Sequence, residues 1–303
     1  MKIILSVLVL VCLVQLSCQP EISGLKSKPD PVQSLSEFTE KNRSSGETFS
    51  IQGNSEISLT TSRGTKLSIP ANAFATKEGK PVTGKINLFF KEIFTPAEMI
   101  LNDLPTMSND MPLESGGEFY IKATENDQPL NIKPGSRLQI EWPKTAIDMK
   151  GMQVFNGLQD ADGNINWMPD NNPGNFIIDS ILFSHSSLFS DNVNWINCDK
   201  FINSPTVSFT AYPGNLPVHD STNIFIHLTG RNTVVKMSWK QGVNCFTTDK
   251  MLAMPSTIIG MCVKDGQFYV SITPSNVQDG QSITMHFSPL TESELKTRLA
   301  QLH

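Results

Sequence analysis

Apolar and polar side chains take turns along much of this chain, and that two-residue period constrains the fold more than any other feature. Lys85-Ile86-Asn87-Leu88-Phe89-Phe90 alternates until its end, Arg137-Leu138-Gln139-Ile140-Glu141-Trp142 alternates throughout, and Gly117-Glu118-Phe119-Tyr120-Ile121 is rich in strand formers. Successive side chains of an extended strand point to opposite faces, so these runs predict half-buried strands of antiparallel sheet. Gly79-Lys80-Pro81 and Lys133-Pro134-Gly135-Ser136 supply turns between them.

The pattern continues past residue 150. Residues 152–168, MQVFNGLQDADGNINWM, predict a hairpin turning at Asp160 to Gly163, and Phe176 to Phe183 reads as another apolar strand. Beyond Pro205 a second series opens: Val207 to Ala211, Ile224 to Leu228, Val234 to Trp239, Ile258 to Val263, Phe268 to Ile272 and Ile283 to Phe287. Such a density of short strands is sandwich spacing. Helices are few. Thr95 and Glu98 make a capping box around Pro96, Thr291 and Glu294 make another, and Leu295, Leu299 and Leu302 give a C-terminal helix one apolar face, expected to pack on the second sandwich. The expectation is an all-β protein of two antiparallel β-sandwich modules with short capping helices and a C-terminal helix. Its boundary falls near residues 198–205.

The N-terminal residues address a different question. After Lys2, Ile3 to Leu16 is apolar apart from Ser6, Cys12 and Gln15. That is too short to cross a bilayer comfortably, which takes about 20 apolar residues, and it has the layout of a secretory signal. Leu16-Ser17-Cys18 resembles the lipobox of bacterial lipoproteins, with Gln15 where that motif usually carries Leu. The resemblance implies cleavage before Cys18 and a lipid on its sulfur, with residues 1–17 as the lipoprotein signal peptide. Several acyl chains, at about 0.8 kcal/mol for each buried CH₂, hold a folded body at a membrane. Residues 18–45, with Pro20, Pro29 and Pro31 among Ser and Lys, read as a tether carrying one short helical turn near Ser34 to Glu40.

GTKLSIPANAF at Gly64 to Phe74, followed by EGKPVTGKINLFFKEI, resembles the start of a ZU5-type β-sandwich. IPANAF, PVTG, FTPAEMILNDLPT, LESGGEFYIKA and the later NWINCDKF are also similar to a group of Bacteroidetes lipoproteins of no settled activity. The resemblance implies a ZU5-like sandwich with a hairpin extension over residues 46–200. The second, Ig-like sandwich with the C-terminal helix then occupies residues 201–303. Because ZU5 domains elsewhere are interaction modules, the resemblance implies binding or scaffolding.

Charge narrows the partners. With 24 basic against 29 acidic residues the net is -5, and no block of like charge stands out. Nucleic acid demands a clustered basic surface, so it is not expected as a partner. The membrane, reached through the lipid, and a protein or glycan are.

Several groups carry candidate chemistry. Cys198, Cys245 and Cys262 remain once Cys12 leaves with the signal and Cys18 takes the lipid, so at most one pair can close. Cys245 and Cys262 are either a disulfide on neighbouring strands of the second sandwich or, with Cys198, small buried hydrophobes. No CxxC occurs, which leaves zinc and thioredoxin-like chemistry without support. Asp160, Asp162, Asn164 and Asn166 offer oxygens at alternate positions, but Gly163 falls fourth rather than sixth and Asn171 replaces the bidentate Glu, so a hairpin turn explains them better than a calcium loop. His185 stands among Ser184, Ser186, Ser187 and Asp191 without the elbow a hydrolase nucleophile needs. His286-Phe287-Ser288 and His227-Leu228-Thr229 resemble the triplets at which some self-cleaving domains, one of them ZU5-associated, shift an acyl group to a hydroxyl. Asp220-Ser221-Thr222 and Asp179-Ser180-Ile181 resemble the O-glycosylation triplet of Bacteroidetes secreted proteins.

The sequence therefore predicts a membrane-anchored, non-catalytic lipoprotein of the cell envelope, on a periplasmic or outer-membrane face, acting as a binding or scaffolding module without cofactor or metal. The alternative is an envelope enzyme, either a Ser/His hydrolase or a self-processing module.

Overall fold

The computed structural model describes residues 34–143, 147–161, 163–171, 176–178, 185–190, 193–216 and 221–302, with the backbone alone for 176–178 and 185–190. The chain divides into two units, residues 1–30 and 31–303, and the described residues all belong to the second. Cys18 and Ser180 lie outside them, as do Ser184 and Asp191.

The class is all-β, with about 52% strand and about 10% helix. In the first half, strands Glu47–Gln52, Lys85–Ile93, Met111–Glu125, Trp195–Phe201, Gln153–Gln159 and Ile165–Pro169 lie side by side in that order. A second sheet runs Phe176–Ile178, His185–Ser190, Leu138–Pro143, Lys66–Ile69 and Ile57–Thr60. The alternation predicted from sequence puts Ile86, Leu88, Phe90, Phe119 and Ile121 of one sheet into a single apolar cluster with Leu67, Ile69, Ile140 and Trp142 of the other. The hairpin at Asp160 forms as predicted: Asp160 N–H donates to Asn164 O at 3.0 Å and Gln159 pairs with Ile165.

The second half is layered in the same way. Ser238–Lys240, Cys245–Leu252, Thr206–Tyr212 and Gln281–Thr284 make one sheet; Val234–Lys236, Thr222–Leu228, Pro255–Lys264, Gln267–Asn276 and Ser288–Pro289 make the other. Phe209, Ala211 and Phe246 meet Ile224, Ile226, Ile258 and Cys262 between them.

Two strands expected to be continuous are divided between these layers. Val234 to Trp239 breaks at Met237, whose N–H donates to Ile224 O at 2.9 Å, and the chain passes from one sheet to the other. Ile283 to Phe287 is similarly split. Gln281–Thr284 pairs with Thr206–Tyr212, Met285 and Phe287 are buried in the interlayer core, and Ser288–Pro289 joins the opposite sheet. The pairing of Gln281–Thr284 is parallel, against the antiparallel expectation. Its chain arrives from Gln267–Asn276 in the facing sheet rather than through a hairpin, so nothing forces a reversal of direction.

A third apolar cluster belongs to both halves. Leu113, Phe155 and Trp167 from the first meet Phe225, Ile259 and Met261 from the second, and all three helices close around them. Pro96–Leu101 carries the predicted capping box and buries Met99 and Ile100. Glu292–Leu299 carries the other, and Leu295 and Leu299 enter this shared cluster rather than resting on the second half alone. The end of the expected tether is also folded: Leu35–Asn42 is a helix whose N-cap Ser34 accepts the Glu37 N–H at 3.0 Å. Phe38, 1% exposed, docks it by stacking on Phe268 at 4.3 Å.

Cys198, Cys245 and Cys262 are buried free thiols. Cys245 opens a strand of the four-stranded sheet and Cys262 lies in the five-stranded sheet facing it, so the two candidates for a disulfide are not cross-strand neighbours, and the alternative of small buried side chains is the one seen.

Candidate functional site

Charged side chains are almost never fully buried unless something pairs with them, which makes Glu118 and Asp199, both at 0% exposure, the most demanding residues of the described body. They sit on adjacent strands. Glu118 pairs in register with Asn197, and Ser115 with Asp199. Gly116 and Gly117 on one strand thus stand opposite Cys198 alone on the other, a bulge. Without it, positions 115 and 118 would point to opposite faces; with it, both share the face of Asn197 and Asp199. Gly117 needs to be glycine: at φ 147° a Cβ would lie 2.9 Å from Phe94 Cε1. A Cβ on Gly116 would crowd Met149 Cε at 2.8 Å and Cys198 O at 3.0 Å. Trp142 Nε1 ties the bulge down by donating to Gly116 O at 3.1 Å.

The cluster is incompletely satisfied. Asn197 Nδ2 donates to Asp199 Oδ2 at 2.8 Å, and Ser115 Oγ accepts the Gly117 N–H at 3.2 Å. Both Glu118 oxygens, Asn197 Oδ1 and Asp199 Oδ1 are buried with no hydrogen-bond partner among the described residues. Burial pushes the Glu118 carboxyl well above its ordinary range, with the Asp199 and Glu98 charges adding to the effect and Lys91 opposing it. Burial likewise raises Asp199, against the nearby Ser115 hydroxyl and the Asn197 amide, which favour its charged form. Lys91 is pushed down to about 8 by burial and by Arg43, with Glu118 partly offsetting this. Its ammonium lies 5.9 Å from the Trp195 ring centroid.

The second half closes over this place. Ser115 N–H donates to Asn232 O at 2.9 Å, and Asn232 Nδ2 donates to Ser115 O at 2.8 Å and to Phe94 O at 3.0 Å. Beside it Glu114 accepts from Arg231 at 3.1 Å and pairs with Lys200 at 3.3 Å. The acidic cluster therefore lies at the seam where a turn of the second half meets the bulged strand of the first.

The residues singled out from sequence are scattered. His286 and Ser288 are exposed either side of buried Phe287, whose N–H donates to Asn215 Oδ1 at 3.1 Å. His227 is buried, its Nε2 3.1 Å from Arg231 O, whereas Thr229 is exposed beyond the strand end, so that second triplet does not share a face. Ser221 is half-buried ahead of its strand. Among the described residues no three His, Cys, Asp or Glu side chains converge, and no helix is long and apolar enough to cross a membrane. The acidic seam itself was missed. Its signal lay in two stretches read only as strand and likeness: Gly-Gly-Glu in LESGGEFYIKA, and Asn-x-Asp in NWINCDKF.

Set against known proteins, the chain matches no family model, and no curated protein or solved structure is similar to it. What the fold defines is an all-β body with sandwich-like layering.

Proposed function

We propose that this protein is a lipid-anchored lipoprotein of the cell envelope whose ZU5-like, strand-built body serves as a non-catalytic binding or scaffolding module. The observation that carries the reading is Leu16-Ser17-Cys18 directly after the apolar run from Ile3. The anchor supplies the membrane contact, so the body is left to meet a protein or glycan. Outward positions of edge strands such as Ile57–Thr60 and Gln281–Thr284 carry Ser58, Thr60, Ser282 and Thr284, hydroxyls suited to that contact. Metabolic labelling with a fatty acid tests the anchor: the wild-type chain takes up label and sediments with membranes, and Cys18→Ala does neither. An unlabelled wild-type chain, or a Cys18→Ala chain that stays in the membrane fraction, refutes it.

A further inference from the structure

We propose that Glu118 is a proton-operated latch between the two halves, whatever anchors the chain. Neutral, it lets the Asn232 turn of the second half seat on the bulged strand of the first; ionised, it drives that contact open. Glu118 is 0% exposed, and neither of its carboxyl oxygens has a hydrogen-bond partner among the described residues. A carboxylate in that place would hold a full charge with neither water nor a donor to stabilise it. Such a group stays neutral by keeping its proton.

The bonds that join the halves bracket this carboxyl. Asn232 Nδ2 donates to Ser115 O and to Phe94 O, and the Ser115 N–H donates back to Asn232 O. Ser115 shares the strand of Glu118, and Phe94 follows Ile93, which pairs with Glu118 in register on the neighbouring strand. Water that hydrates a charge on Glu118 therefore enters where these three bonds part.

The surrounding charges set the balance. Asp199 on the adjacent strand and Glu98 of the helix Pro96–Leu101 oppose ionisation of Glu118, and Lys91 on the other adjacent strand favours it. Lys91 is itself held down to about 8, by burial first and then by Arg43, so its support fades in the alkaline range. Asp199 has a donor in Asn197 Nδ2 at 2.8 Å where Glu118 has none, so Glu118 is the one of the two that keeps its proton longer. At the rim Glu114 is paired with Lys200 and Arg231, and His227 holds the same turn through Nε2, 3.1 Å from Arg231 O. Cys198 faces the apolar core on the other side of its strand. The folded chain thus keeps a proton that the unfolded chain gives up near the ordinary value of 4.5. Stability falls as pH rises from there towards the folded value, by about tenfold in the folding constant per pH unit for each proton held, and is level beyond it.

Purified full-length chain tests this with two readouts taken from mildly acid to alkaline pH. The infrared carbonyl band of neutral carboxyl groups should persist at neutral pH, and Glu118→Gln should remove one carboxyl's share of it. Hydrogen exchange should show the Ser115 amide losing at least tenfold of its protection as that share disappears, and keeping it over the same range in Glu118→Gln. Asp199→Asn takes away a neighbouring charge, so it should retain one neutral carboxyl and move its loss to lower pH; this variant serves if Glu118→Gln does not fold. A wild-type chain without a neutral carboxyl at neutral pH overturns the proposal, as does an Asp199→Asn chain without one. So does a folded Glu118→Gln chain that keeps the whole band, or one whose Ser115 protection falls as far as the wild type's.

Discussion

Phe38→Ala isolates what holds the first helix to the body. Leu35–Asn42 is eight residues long, below the length at which an isolated helix persists in water, so its docking contacts sustain it. Two are available for comparison. Phe38 is 1% exposed and stacks on Phe268 with centroids 4.3 Å apart and planes 12° apart; truncating such a buried ring costs about 3–5 kcal/mol, within which the stacked pair contributes about 0.5–1.5 kcal/mol. Lys41 pairs with Glu292 at 3.2 Å, but the two side chains are 51% and 30% exposed, and a pair of that kind contributes about 0–1 kcal/mol. Urea unfolding should therefore show a large loss of midpoint for Phe38→Ala and almost none for Lys41→Ala. Limited proteolysis should open a new cut within residues 35–42 only in the first. A Phe38→Ala loss below about 1 kcal/mol, with no new cut, would refute the docking argument.

Two further outcomes are expected. Gly117→Val places a branched side chain at φ 147° and against Phe94, so backbone strain and overpacking together should cost about 2–4 kcal/mol in urea unfolding; an unchanged midpoint would mean the bulge tolerates any residue. Glu92 tests the linkage of charge to stability. Burial, with Glu47 adding, raises its carboxyl above the ordinary value of 4.5, against the nearby Thr65 and Thr61 hydroxyls and Arg63. The folded chain thus holds a proton that the unfolded chain has released, and this contribution to stability is lost as pH rises from about 4.5 to the raised value, then stays level. Glu92→Gln should lack that decline in unfolding measured from about pH 4 to about pH 8, and parallel profiles for the two proteins would contradict the shift.

What local chemistry decides was legible. The Thr95 and Thr291 capping boxes span four residues each, and both form. The Asp160 turn and the alternation of Ile86, Leu88 and Phe90 needed only neighbours along the chain. Long-range packing decides the rest. Val234 to Trp239 reads as one strand because apolar residues continue through Met237, and nothing in that text marks the passage from one sheet to the other. Phe38 lies in a segment that reads as a tether, since its partner Phe268 is 230 positions away. The acidic seam needs Glu118 and Asp199 to meet across a bulge, and an unpaired register hides that meeting. A Gly-Gly pair directly before a carboxylate inside a strand was the available clue, because glycine weakens a strand interior unless close approach demands it.

The backbone that passes between layers at Met237, and again around Met285 to Phe287, acts as a pair of covalent stitches. The two leaves of the second half cannot be delaminated by prying them apart, because each stitch would have to be unthreaded first. A pull on this part of the chain must be relieved from its free borders inward, one ladder rung at a time, and its mechanical weak points are the short terminal pairings such as Ser288–Pro289.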